Sequence, residues 1–523
     1  PDDNAESHPY APDHSTTPDV MRVCPAVAHG AGAYRCGIFI AAAPSSSRGM
    51  GLQRGLSQFD LTNIIVGAIV GADIYIASAL TAGLVGPFSI VLCAVAGLFA
   101  ATIAMVFAYC SYYVPRVGGP FAYVSEAFDD FYGFLTGWSM WIAELLALPV
   151  FAIAFANYLQ ALVPLTPAAE VAVRALFVAS LTLVNIVGVR AAGRLNDALT
   201  LIKLSPLFLL IVAGLGVFFI QPETFAGNYI PLLPLGLDNA AHALVLIFWA
   251  YAGFELGTLP AGEVQNPQRA IPRAITSGML IVSAFYLLTN FVLFGVVNWT
   301  ELDQSTVPLV VAGTALFGSA GALIMTVGAL FSVSGSNESG MLGSARLAYA
   351  MAIDGLFPRA FARLHPRFNT PYVVLIAQGI IAFILSNIGN LSGLISFAVL
   401  NLAFSFLLTC FALIVLRSDS AANLRGQHIL PLAGIAICLF LLYSTTTFDK
   451  IVGVLVILAG IPVYLFYSPK QDIHHLKALF LSEETVLQRR LEAKETYLAN
   501  FLDIIRTISR RIRRLDGREP GGR

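Results

Sequence analysis

Five ionisable side chains stand inside long apolar runs of this 523-residue chain: Asp73, Glu144, Lys203, Glu255 and Glu338. A charge in a low-dielectric interior is costly, so such groups either neutralise one another or serve a charged solute or a proton. Two of them lie beside glycine interruptions. One stretch reads Gly67-Ala68-Ile69-Val70-Gly71-Ala72-Asp73-Ile74-Tyr75, and the other Trp249-Ala250-Tyr251-Ala252-Gly253-Phe254-Glu255-Leu256-Gly257. A helix broken at such glycines leaves N–H and C=O groups free, and their dipoles can hold a small zwitterion or cation. The plainer reading is that the glycines only let helices pack closely. Glu144 either reaches a cavity or makes a structural hydrogen bond. Glu338, in the polar stretch Ser332–Ser339, marks either a cation site or a satisfied polar seam. No catalytic triad, metal-ligand cluster or phosphate loop accompanies these groups, so neither an enzyme nor a cofactor is expected. The six cysteines show no paired spacing, and no basic–aromatic patch points to nucleic acid.

The elements that must carry these residues follow from composition. Residues AVILMFWYC make up 57% of the chain and charged residues 12%, about half the usual quarter for the latter. So few charges cannot cover a water-soluble protein of this size, which leaves a polytopic membrane protein. From Leu56 to Tyr467, apolar runs alternate with short polar breaks. The runs, near 59–84, 87–114, 131–161, 169–189, 196–220, 239–264, 273–298, 308–350, 371–387, 391–416, 429–446 and 450–468, are each read as a helix able to cross about 30 Å of hydrocarbon. The eighth is a span plus a cytoplasmic extension. Period-two alternation is absent, which excludes a barrel. Twelve spans put both termini on one side. With the N-terminus inside, the inner loops carry ten arginines, against Arg174 and Lys450 outside. Both termini are therefore expected in the cytoplasm of a cell whose plasma membrane holds the protein.

The flanks read differently. Residues 1–49, rich in Pro, Ser, Ala and His, are expected to be disordered or a non-native leader, and 50–468 form the transmembrane domain. Residues 469–523 carry an amphipathic helix, with Leu476, Phe480, Leu487, Leu491, Leu498, Phe501 and Ile505 at helical spacing and Arg510-Arg511-Ile512-Arg513-Arg514 near its end. That tail fits an interfacial helix on anionic lipid, a coiled-coil contact in a homodimer, or a cap on the inner mouth.

Four stretches resemble the amino acid–polyamine–organocation permease superfamily over about residues 56–468. They are Gly71-Ala72-Asp73-Ile74-Tyr75; Pro115-Arg116-Val117-Gly118-Gly119-Pro120-Phe121-Ala122-Tyr123 followed by Gly137-Trp138; Gly253-Phe254-Glu255 followed by Glu263-Val264-Gln265-Asn266-Pro267; and Ser344-Ala345-Arg346-Leu347-Ala348-Tyr349 running on to Pro358. The resemblance implies two inverted five-helix repeats of the leucine-transporter type, with spans 1 and 6 broken and two helices added. It implies alternating access with substrate on the backbone of Ile69, Gly71, Ala72, Ala252 and Gly253, and with Trp249 either gating the substrate or packing in the interior. Glu144 and Glu255 are further substrate-site candidates. Three positions depart from the family pattern: Asp73 replaces its second glycine, Ala72 its serine, and Tyr109 the helix-2 glutamate that precedes the Pro-x-x-Gly-Gly loop.

The function this implies is proton-coupled uptake of amino acids or related amines. The alternatives are a transporter or exchanger of polyamines, organic cations or inorganic cations, and a non-transporting sensor or scaffold. In similar sodium-coupled proteins a cation sits between spans 1, 5 and 8, and the resemblance places Lys203 there as a removable positive charge. Otherwise Lys203 is a lysine snorkelling to the inner interface, expected about eight residues (roughly 12 Å) into its helix. Asp73 puts a carboxylate where a substrate carboxylate would lie. Two unit charges about 4 Å apart interact by roughly 4 kcal/mol at an effective dielectric near 20. Asp73 therefore selects against a carboxylate, carries a proton, or caps the half-helix.

Overall fold

The computed structural model describes residues 57–467, except 72, 116–117, 188, 259–263 and 419–425. The expected leader and the expected amphipathic tail lie outside the described residues. Span 1 is two helices, α1 (Gln58–Ile69) and α2 (Asp73–Val85). α3 (Ser89–Tyr113) is span 2, and a short α4 (Pro120–Ala127) leads into α5 (Asp130–Gln160), α6 (Pro167–Val187) and α7 (Val189–Ile220). After a short α8 (Pro222–Gly227), span 6 is α9 (Ala240–Ala250) and, past an interruption, a 3-10 turn at Phe254–Thr258. α10 (Pro267–Val296), a short α11 (Trp299–Asp303), α12 (Pro308–Ile353), α13 (Tyr372–Ile388), α14 (Leu391–Ser418), α15 (Leu430–Ser444) and α16 (Thr447–Tyr467) complete the described chain. All twelve expected spans are helical, and the first and sixth are broken. The protein is an all-α polytopic membrane protein.

The chain enters α1 through a capping box: the Ser57 hydroxyl accepts from the Asp60 N–H, and the Asp60 carboxylate accepts from the Ser57 N–H at 2.9 Å. Polarity is turned inside out relative to a water-soluble protein. Leu98, Leu183, Leu280 and Phe208 are 60% or more exposed, whereas Asp73, Lys203, Glu255 and Glu338 are buried. Such a surface suits hydrocarbon and opposes water. Lys203 lies on α7 and Glu338 on α12, which pack on each other and on α1, while Asp73 opens α2 and Glu255 lies in the 3-10 turn of span 6.

Two expectations need correction. The eighth span does not run straight from 308 into a cytoplasmic extension. At Gly318 the backbone leaves the helical region (φ 62°, ψ −146°). The segment before it folds back, so that a Cβ on Gly313 would stand 2.7 Å from the Gly321 carbonyl oxygen. The membrane helix proper starts after Gly318. The fifth helix begins at Val189 and not near 196, because Arg190 and Arg194, read as loop charges, lie inside it.

Candidate functional site

α1 stops at Ile69 because Val70 is extended (φ −71°, ψ 101°). The matching interruption in span 6 covers Tyr251 to Gly253. Gly253 has φ 117°, a conformation that costs an L side chain and suits glycine. It also lies directly on the end of α1. A Cβ there would stand 3.2 Å from Ile69 Cγ1 and 3.3 Å from both the Ala68 carbonyl carbon and the Ile69 nitrogen. The two interruptions therefore touch. Gly71 faces α12, where a Cβ would fall 2.0 Å from Ser336 Oγ.

The last carbonyls of a helix need outside donors. At the end of α1, the Tyr286 hydroxyl of α10 donates to the Ile69 carbonyl at 2.7 Å. The Lys203 ammonium of α7 donates to the Gly67 carbonyl. A cation at that point also meets the negative end of the helix dipole. Lys203 is 1% exposed and lies fourteen residues after Val189, roughly 21 Å along the helix. That burial, with its bond to α1, replaces the picture of a lysine snorkelling to the interface. Asp73 and Glu338 both act electrostatically on Lys203, and Arg346 acts on Glu338 as well.

The carboxyl groups are arranged with equal economy. Glu255 Oε2 accepts the Gly253 N–H at 2.9 Å, closing the donor that the break exposes. The Asp73 carboxyl stands at the start of α2, with Oδ1 buried and without a protein partner. Glu144 of α5 is buried as well, and Glu255 Oε1 is buried with no protein partner.

Asp73, Glu144, Trp249, Ala252 and Gly253 line a single cavity of about 40 Å³ open to the centre of a water-sized sphere, room for a few waters. Ile69, Gly71 and Glu255 stand around it without lining it, and Lys203 contacts α1 instead. Ala72 lies outside the described residues. Eight lining residues were not among the expected site residues, Phe151, Ser336, Gly340 and Leu402 among them; of these four, only Ser336 had a signal, in the polar stretch of span 8. The Phe151 and Trp249 rings pack at 5.8 Å and 32°, so Trp249 lines the cavity and packs in the interior at once. Ser332, Ser336, Asn337 and Glu338 each hold a buried polar atom with no protein partner. That stretch is therefore not a satisfied seam, and such atoms call for water or a solute.

Comparison with known proteins agrees with this architecture. The sequence model of the family described as "Amino acid permease" matches residues 56–474. The chain belongs to the amino acid permease family. Among similar members is the methylthioribose transporter of Bacillus subtilis (strain 168), 29% identical over 456 residues that cover 82% of this chain and 96% of that protein. The branched-chain amino acid permease BcaP of the same organism is 26% identical, covering 80% of this chain and 94% of its own length. The serine/threonine exchanger SteT, also from that organism, is 27% identical, with 79% and 97% covered. The broken first and sixth spans of this permease thus belong to a chain whose relatives are named for moving small solutes.

Proposed function

We propose that this permease is a proton-coupled secondary transporter that takes up amino acids or closely related amines across the plasma membrane by alternating access, with both termini in the cytoplasm. The reading is supported chiefly by the Lys203 ammonium, which donates to the Gly67 carbonyl near the break of span 1 and feels the charges of Asp73 and Glu338. A protonated lysine donates to that carbonyl and offsets the nearby carboxylates; a neutral one has lost the charge that holds α7 to the end of α1. Gain and loss of one proton at Lys203 therefore strengthens and weakens the joint on which the substrate backbone sites depend. Solute rests against the main chain of Ile69, Gly71, Ala72, Ala252 and Gly253, with Trp249 over it and Asp73, Glu144 and Glu255 supplying polar contacts. The names of two relatives, a branched-chain amino acid permease and a serine/threonine exchanger, favour amino-acid-like solutes. The test is uptake into vesicles of purified protein under an imposed pH gradient or an imposed sodium gradient. Accumulation is expected with the former alone and is lost in Lys203→Ala, while that variant remains folded by size-exclusion profile. Sodium-driven accumulation that ignores pH, or an unimpaired Lys203→Ala protein, would overturn the reading.

A further inference from the structure

Resting on that transport reading, the walls of the cavity narrow its solute. A zwitterionic amino acid needs a receptor for its carboxylate, and at a broken helix that receptor is the free N–H group at the start of the half-helix. Here the protein's own carboxyl groups stand at both positions. The Gly253 N–H is bonded to Glu255 Oε2 at 2.9 Å, and Asp73 itself opens α2, with its Oδ1 buried and without a protein partner. Among the described residues, no basic side chain lines the cavity. Lys203, which lies close by, spends a donor on the Gly67 carbonyl.

The charges around the cavity point the same way. The ionisable side chains that line the cavity among the described residues, Asp73 and Glu144, are both acids. A single ammonium entering it meets these acids on its walls. The acceptors that an ammonium needs are present. Asp73 Oδ1 and Ser336 Oγ are buried, belong to residues lining the cavity, and have no protein partner. Asp73 is 4% exposed and Ser336 3% exposed. Trp249 and Phe151 add ring faces that attract a cation and exclude water from its carbon body. We propose that the site takes a small organic amine cation without a carboxylate, and that Asp73 sets this preference by occupying the place of the substrate carboxylate.

Three matched pairs test it: serine and ethanolamine, valine and isobutylamine, lysine and cadaverine. Each pair differs by the carboxylate alone. Binding to the full chain in detergent is measured by calorimetry, and counterflow exchange is measured in vesicles beside protein-free controls. At least one amine is expected to bind ten-fold or more tightly than its amino acid. Asp73→Gly, which removes the carboxyl at the start of α2, should move that ratio ten-fold or more towards the amino acid. Asp73→Asn, close in shape and uncharged, should lose amine affinity ten-fold and shows that the effect is one of charge and not of folding. Amino acids binding as well as their amines, no amine binding at all, or an unchanged ratio in Asp73→Gly would overturn the proposal. Amine binding without any counterflow would leave it standing and sink the transport reading instead.

Discussion

Alanine at Gly253 puts a number on the contact between the two interruptions. The position has φ 117°, and holding a residue with a Cβ in such a region costs on the order of 1–3 kcal/mol. The added carbon would stand 3.2–3.3 Å from Ile69 Cγ1, the Ala68 carbonyl carbon and the Ile69 nitrogen. Two of those atoms are main chain, so the end of α1 must yield by a few tenths of an ångström. The strain alone corresponds to roughly 5- to 100-fold in any equilibrium that requires the touching arrangement, at 1.4 kcal/mol per factor of ten. Solute affinity by calorimetry and the unfolding midpoint in micelles read this directly: the first should fall by that factor, and the second should drop. Gly216→Ala in α7 is the control, since its Cβ would meet nothing within 4 Å and alanine favours the helix by up to about 1 kcal/mol. Wild-type affinity and midpoint in Gly253→Ala would refute the argument, because the interruptions would then accommodate a side chain without cost.

Two further substitutions probe the same joint. In Gly71→Ala the Cβ would fall 2.0 Å from Ser336 Oγ and 2.9 Å from Ser336 Cβ, so folded yield should collapse; Gly71→Ala with Ser336→Gly should recover only in part, because Asp73 Oδ2 remains 2.9 Å away. A single variant that folds normally would show that α12 does not press on the break. Tyr286→Phe strips the donor from the Ile69 carbonyl, and an unmet buried acceptor costs about 1–3 kcal/mol. Its unfolding midpoint should fall accordingly, and an unshifted midpoint would contradict that account.

The spans and both breaks were legible because length and glycine placement are local properties. Gly71 and Gly253 interrupt apolar runs beside acids, and that pattern needs no tertiary knowledge. The fold-back at Gly318 left no such mark: it lies in an uninterrupted apolar run with other glycines, and its cause is the close approach of Gly313 to Gly321. The early start of α7 was hidden because Arg190 and Arg194 carry loop-like charge. Phe151 and Leu402 could not be picked out as cavity residues, since in hydrocarbon the lipid-facing and inward-facing sides of a helix are both apolar and periodicity fades. The role of Tyr286 depends on a carbonyl 217 residues away, which no window along the chain contains.

The two bonds that finish α1 share a property with evolutionary weight. Lys203 and Tyr286 both donate to main-chain oxygens, of Gly67 and Ile69. A carbonyl is present whatever side chain its residue carries, so no substitution on α1 deletes either acceptor. Selection to keep these links falls on the donors, while positions 67 and 69 answer only to packing and backbone shape. Drift along α1 can therefore reshape the cavity while the bonds that terminate the helix persist, provided that the lysine and the tyrosine stay.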